Sequence, residues 1–341
     1  MINYDFHLDK TSRKYICPHC HRKTFVLYLD SQNKILSPEV GKCDRLDKCN
    51  FHYPPRQFFE EHLSLSPRVH KEIRAFPQKT TVPLPSFIPR EYVENTLSAY
   101  NQNSLYRFLA HAFRKVLQKK HIDEVVSDYM LGTAKMYGGS PVFWQIDRLG
   151  RAHTGKIMGY DDTGHRIKNP HPLMQWAHTA LKDRLDGDFT LSQTFYGAHR
   201  PRADDTVYWL FESEKTALIA ALALKCCGEA EYRRFIPIAA GGCEGFNPTP
   251  EAMSDRNHRI QLLKGQRLVL FPDNGKYEHW KLRAGLAKRF CKSVEVSTIL
   301  EPQIHRTYYP KVPVNPSDDL GDIILGYLEA GLDVTELVTF Y

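Results

Sequence analysis

The chain has 341 residues, 42% of them hydrophobic and 25% charged, which is enough for two or three globular domains with proper cores. No run approaches the roughly eighteen consecutive apolar residues of a membrane span, and the opening Met-Ile-Asn-Tyr-Asp-Phe has neither the basic nor the apolar region of a secretory signal, so a cytoplasmic protein with no membrane partner is expected. A formal net charge of +7 is compatible with a polyanionic partner without requiring one.

The first motif is Cys17-Pro18-His19-Cys20, followed by Cys43 and Cys49. Zinc prefers thiolates in a tetrahedron, and a CxxC turn presents two sulfurs on one side so that a distant pair can close the other. The second pair is spaced by five residues, wider than usual, and His19, His21 and His52 lie close enough to replace a cysteine. Residues 24–29 have the strand composition of a ribbon hairpin. A structural zinc on Cys17, Cys20, Cys43 and Cys49 is therefore expected within a ribbon over 1–55, with four buried free thiols as the alternative. Cys226, Cys227, Cys243 and Cys291 show no ligand spacing and read as reduced, mostly core residues.

Pro67, Pro77, Pro83, Pro85 and Pro89 crowd the next stretch, and such density suits an extended tether over 56–89. From Arg90 to Leu131 the pattern becomes helical. Leu105, Phe108, Leu109, Ala112, Phe113, Val116 and Leu117 recur at three and four residues, and Ser104 is placed to cap the second helix. That stripe reads as core.

From Pro141 the period changes to two, predicting a meander of three short strands over 142–147, 154–160 and 165–168 joined by Asp/Gly turns. Arg148, Arg151, Lys156, Arg166 and Lys168 would then sit beside Trp144 and Tyr160. Basic side chains interleaved with aromatics can hold a phosphate backbone and stack bases; a solvated sheet face with a charged edge is the alternative. Residues 90–200 thus read as a helical and β-meander basic subdomain.

Residues 201–341 alternate strand and helix: strands over 206–211, 235–240, 267–271 and 294–297, helices over 216–224 and 277–290. Such alternation implies a parallel sheet whose functional groups gather at the strands' C-terminal ends. Glu212, Gly241-Gly242 and Asp273 all fall at such ends. Two carboxylates converging there suit Mg²⁺ or Mn²⁺, which keep waters and substrate phosphates, and the glycine pair allows a close approach of substrate.

Three stretches resemble the motifs of the toprim domain: Leu210-Phe211-Glu212-Ser213-Glu214-Lys215, Ala239-Ala240-Gly241-Gly242 and Leu270-Phe271-Pro272-Asp273-Asn274-Gly275. That family carries a Glu after its first strand, a glycine after its second and a DxD after its third. Upstream, Phe143-Trp144-Gln145-Ile146-Asp147-Arg148-Leu149-Gly150, Lys168 and Phe195-Tyr196-Gly197 follow the order found in bacterial replicative primases, where a zinc ribbon and a basic subdomain precede toprim. The whole also looks like the zinc-ribbon toprim proteins that accompany mobile genetic elements and phages of Bacteroides-type bacteria. The resemblance covers nearly the full chain, with 54–135 contributing least.

The resemblance implies an α/β fold, a toprim-type parallel sheet with flanking helices, preceded by a β-rich basic subdomain and the N-terminal zinc ribbon. It further implies a primase-like nucleotidyltransferase of DNA replication, with Glu212 and Asp273 catalytic on Mg or Mn and Glu214, Asp319 and Asp322 as further ligands. Lys215 would contact phosphate or pair with an acid, and Lys156, Arg166, Lys168, Arg148 and Arg151 would hold single-stranded DNA or NTPs. A helicase or another replication protein is an expected partner, since no GxxxxGK[ST] motif is present. Gly275 stands where the second DxD aspartate belongs, and Ser213 replaces a glycine. Losing a carboxylate weakens Mg²⁺ binding. Asp318, Asp319 and Asp322 resemble the late acidic segment of toprim primases, and equally suit the N-cap and first turn of a helix over 323–328. A DNA-binding accessory with a degenerate site, or a toprim nuclease, are the other readings.

Overall fold

The computed structural model describes residues 6–30, 32–45, 48–61, 84–169, 171–185, 187–255 and 258–338, apart from the side chains of 59–61 and 243. The chain forms two compact units, Met1–Thr81 and Val82–Tyr341. Pro67, Pro77 and Pro83 of the expected tether lie outside the described residues. Among the described residues no helix is long and apolar enough to cross a membrane.

The first unit is built on β1 (Phe6–Leu8), β2 (Tyr15–Ile16), β3 (Lys23–Asp30), β4 (Gly41–Cys43) and β5 (His52–Tyr53), followed by the helix α1 (Pro55–Glu61). All pairings are antiparallel, with β3 central to β1, β2 and β4. Phe25 and Leu27 of β3 pack with Cys17 and Cys43 into a small core. A Cβ on Gly41 would come within 2.3 Å of the Val26 carbonyl oxygen, so only glycine lets β4 lie this close to β3.

The second unit opens with α2 (Arg90–Glu94), α3 (Ser104–Phe113) and α4 (Lys119–Asp128). Ser104 is not the cap of α3. Asn103 is: its side chain accepts from the Tyr106 N–H at 3.0 Å while its amide donates to the Gly132 carbonyl at 3.0 Å. An Asn with both an acceptor and a donor serves the helix and the neighbouring strand together, which a serine hydroxyl is too short to do.

Next comes an antiparallel sheet of β6 (Leu131–Ala134), β7 (Ser140–Ile146), β8 (Ala152–Met158) and β9 (Met174–Trp176) in that order. The expected third strand at 165–168 does not form; only an isolated bridge joins Tyr160 to Arg166, and Met174–Trp176 takes the place beside β8. Every residue of β7 is buried. Phe143 faces the main core, whereas Val142, Trp144 and Ile146 face a second core with Ile88, Val93 and Ala177. Trp144 gives its indole N–H to Thr96 at 2.9 Å, and Tyr160 is only 4% exposed. The expectation that these two aromatics stack bases is therefore overturned: the sheet is covered on both faces, and both rings are core.

The short α5 (Ala177–Ala180) leads to a four-stranded parallel sheet of β10 (Val207–Phe211), β11 (Phe235–Ala239), β12 (Arg267–Leu270) and β13 (Ser293–Val296), in the order β11-β10-β12-β13. Its helices are α6 (Glu214–Cys227), α7 (Glu229–Arg234), α8 (Pro250–Ser254), α9 (Tyr277–Ala287), α10 (Pro302–Tyr308), α11 (Leu320–Glu329) and α12 (Thr335–Val338). Val207, Trp209 and Phe211 point into the core shared with α3, α4, α6 and α11; Tyr208 and Leu210 point into the core that holds Trp280 of α9. Apolar residues on both faces of one strand are what a helix-covered parallel sheet requires.

Candidate functional site

The four cysteine sulfurs of the first unit all lie within 4.8 Å of one another. Cys17 and Cys49 Sγ are 3.8 Å apart, and Cys20 and Cys43 Sγ 3.9 Å. A tetrahedron with Zn–S bonds of about 2.3 Å has an edge of about 3.8 Å, so the spacing fits zinc. The Arg22 backbone N–H brings the Cys20 thiol down to about 6, favouring the thiolate that a metal needs. Thr24 Oγ1 lies 3.3 Å from Cys43 Sγ, and His19 Nδ1 lies 3.4 Å from Cys49 Sγ. His19 thus borders the cluster, and the four sulfurs complete the tetrahedron without it.

The second site lies at the C-terminal end of the parallel sheet. Leu210 of β10 pairs with Leu270 of β12 in parallel register, and Phe211 with Ala239 of β11. Glu212, Gly241 and Asp273 therefore leave neighbouring strands at the same edge. Glu212 is oriented by Trp280, whose indole N–H reaches its Oε1 at 3.0 Å. Two hydrogen bonds tie the Asp273 turn to the loop before α11: the Asn274 N–H donates to the Asp318 carbonyl and its side-chain amide to the Asn315 carbonyl, each at 2.8 Å.

That loop delivers Asp319 and Asp322. The two form a capping box at the start of α11, and Thr216 donates to Asp319 Oδ2 at 2.5 Å. The capping role does not remove them from the site. Burial first, then the negative charges of Glu212, Asp319 and Asp322, push the Asp273 carboxyl up to about 8, against the pull of Arg166. Burial, then Asp322, also raises Asp319. Asp273 thus lies under the negative charge of three other acids at this edge, and Asp319 under that of Asp322. These acids are not drawn together as tightly as the cysteines, which among the described residues are the only group of three or more His, Cys, Asp or Glu with ligand atoms all within 4.8 Å.

The remaining predicted residues fall into two places. Lys156 pairs across strands with Phe143, which turns it toward the parallel sheet. There its Nζ meets Glu214 Oε2 at 3.1 Å and the Gly241 carbonyl at 3.2 Å, and both side chains are buried. Gly241, at φ +80°, would carry a Cβ 3.2 Å from Glu214, so the loop sits tightly on the pair. Lys215 donates to the Gly164 carbonyl at 3.2 Å and draws on Asp319 electrostatically. Arg166 and Lys168 are exposed, Arg166 near enough to act on Asp273. Arg148 and Arg151 lie apart from this group, on the β7–β8 turn: Arg148 bonds the Tyr208 hydroxyl at 2.8 Å and Arg151 pairs with Asp147 at 2.7 Å.

The family described as a domain of unknown function, DUF6371, matches residues 103–274, just over half of the chain. The chain belongs to that family. A zinc beta-ribbon finger family matches residues 4–64, so the first unit is a zinc ribbon and its four cysteines bind zinc. No curated protein matches. Among solved structures, the zinc-binding and RNA polymerase domains of the Aquifex aeolicus primase are similar at 12% identity, over 93% of this chain and 82% of that chain, with a TM-score of 0.29.

The DUF6371 match takes in Lys156, Glu212, Glu214, Gly241 and Asp273 and stops before Trp280, Asp319 and Asp322. Trp280, Thr216 and Arg259 were not foreseen as site residues. Trp280 holds Glu212, Thr216 holds Asp319, and Arg259 donates to the Ala240 carbonyl at 2.9 Å, just before Gly241. The one sequence signal for any of them is general: a tryptophan buried on a helix needs an acceptor for its indole N–H.

Proposed function

We propose that this DUF6371 protein is a primase-like nucleic-acid protein of toprim type, binding single-stranded DNA and joining nucleotides at the acidic edge. The observation that carries the reading is the convergence of Glu212 and Asp273 from adjacent parallel strands, where burial first, and then the charges of Glu212, Asp319 and Asp322, push Asp273 up to about 8. Carboxylates crowded at one edge, only partly offset by Arg166 and Lys215, are costly unless a cation is to be held there.

The donor set fits Mg²⁺ or Mn²⁺, being all carboxylate oxygen, with Glu212 and Asp273 as the ligands and Asp319 and Asp322 adding negative charge behind them. A divalent ion supplies neutralisation of the phosphate charge that builds up as a nucleotide is transferred. The chain's own part is placement. Trp280 fixes the Glu212 carboxylate, and the Asn274 bonds fix the turn that carries Asp273. The Lys156–Glu214 pair holds the Gly241 loop, and the exposed Arg166 and Lys168 offer donors to a phosphate backbone. In the transfer a primer 3′-hydroxyl attacks the α-phosphorus of an NTP, the new phosphodiester forms and pyrophosphate leaves.

Incubation with single-stranded template, NTPs and Mg²⁺ or Mn²⁺ tests the reading. Short primers absent in Glu212→Gln and Asp273→Asn support it; products that persist in both place the chemistry elsewhere. A DNA-binding accessory is the second reading, favoured by Gly275: it is exposed, at φ +85°, with open space where a side chain would be, so no second aspartate serves Asp273. Salt-sensitive DNA binding without primers supports that alternative, and plasmid nicking without NTPs supports a nuclease.

A further inference from the structure

We propose that the cavity beside the β7–β8 turn binds a nucleotide, with its phosphates against Arg148 and Arg259 and its base against Leu149 and Leu262. The cavity has a volume of about 490 Å³, within the usual range of small-ligand clefts. It lies outside the acidic edge, and its occupancy does not depend on Glu212 or Asp273.

The charge in its wall is positive. Among the described residues Asp147 is the single acid lining it, and that carboxylate is already taken up: Oδ1 accepts the N–H groups of Leu149 at 2.9 Å and Arg151 at 3.0 Å, and Oδ2 the Arg151 Nε at 2.8 Å, with His153 Nε2 at 3.2 Å. Arg151 is spent on this pair. Arg148 uses only Nη2, toward Tyr208 and Leu262, and Arg259 uses Nη1 and Nη2, toward Ala240 and Gln193. Among the described residues, Nε and Nη1 of Arg148 and Nε of Arg259 carry no hydrogen-bond partner, so two anchored guanidiniums keep N–H donors for an incoming anion.

Apolar side chains line the same cavity beside the two arginines. Leu149 is 75% exposed at the mouth, and Leu262 lies deeper. A free phosphate would leave these apolar side chains and most of the volume unused, whereas a ligand with a flat apolar ring and an anionic tail uses both kinds of lining. Arg259 also links the cavity to the sheet edge through the Ala240 carbonyl.

Titration calorimetry of the full chain with ADP, in buffer free of Mg²⁺ so that the acidic edge repels phosphate, tests the proposal. Saturable binding is expected, weakened about tenfold or more in Arg148→Ala, largely restored in Arg148→Lys, and about tenfold weaker for adenosine than for ADP. Leu149→Asp, at an exposed position that the core does not need, is expected to weaken ADP binding by a similar factor. Absence of ADP binding overturns the proposal, as does ADP binding unchanged in Arg148→Ala and Leu149→Asp, or adenosine binding as tight as ADP. A thymidine oligomer that binds through Arg148 while ADP does not bind also overturns it, because the surface then serves a strand.

Discussion

Lys156 Nζ lies 3.1 Å from Glu214 Oε2, with the two side chains 9% and 4% exposed. A buried pair of this kind adds little net stability against apolar residues of equal size, but removing one partner strands a charge without water. Lys156→Met is therefore expected to destabilise the protein by about 3–5 kcal/mol in urea denaturation. The double variant Lys156→Met with Glu214→Leu should recover most of that loss. A single variant within about 0.5 kcal/mol of wild type, the range of an ordinary surface change, would show that the pair is not sealed in solution.

The zinc ribbon predicts one zinc per chain in protein prepared without chelator, measured by elemental analysis. Cys17→Ser should lose that zinc and open residues 6–53 to proteolysis, because a ribbon this small has few other apolar contacts to hold it. Full zinc content in Cys17→Ser would move the site off the four sulfurs.

Asp273 sets a pH dependence. Its folded carboxyl sits at about 8, above the usual 3.8, so its protonated form contributes stability that is complete below about pH 4 and is lost as pH rises through about 8. Without added divalent ions, Asp273→Asn should be more stable than wild type at pH 9 by about 1–2 kcal/mol, the shift being discounted for solvent screening. The gap should close toward pH 4. Equal melting of the two proteins across that range would mean that the Asp273 carboxylate is neither buried nor crowded by the other acids in solution.

Asn103 is 0% exposed and joins the start of α3 to β6. Asn103→Ala removes the cap and leaves the Gly132 carbonyl without the amide it accepts from, for a loss of about 2–3 kcal/mol by thermal or urea melting. Asn103→Asp keeps the cap acceptor but sets a buried carboxylate oxygen, which cannot donate, against the Gly132 carbonyl, so it should cost at least as much as Asn103→Ala.

The parallel sheet was legible because three of its four strands are short apolar runs that stop at or just before an acid or a glycine, and Glu212 and Asp273 stand where two of those runs stop. The Cys17–Cys20 turn with Cys43 and Cys49 was legible for a similar reason, since sulfur spacing along the chain translates directly into a tetrahedron. The surface of the meander was not. Alternation in 142–147 marks a strand without saying how many faces are covered, and here α2 and the main core cover both, so Trp144 went inward. The third strand was misplaced because residues 165–168 carry charge and β-formers together, while Met174–Trp176 is too short to announce itself. Links such as Trp280 to Glu212 and Lys156 to Glu214 join positions 68 and 58 residues apart, and no local pattern encodes a contact of that range.

Manganese titration followed by electron paramagnetic resonance tests the acidic edge most directly, with the zinc ribbon kept loaded. The account predicts about one bound Mn²⁺ per chain, displaced by Mg²⁺ and weakened about tenfold or more in both Glu212→Gln and Asp273→Asn. Mn²⁺ affinity that is unchanged in those two variants, or no bound Mn²⁺ in the wild type, would contradict it.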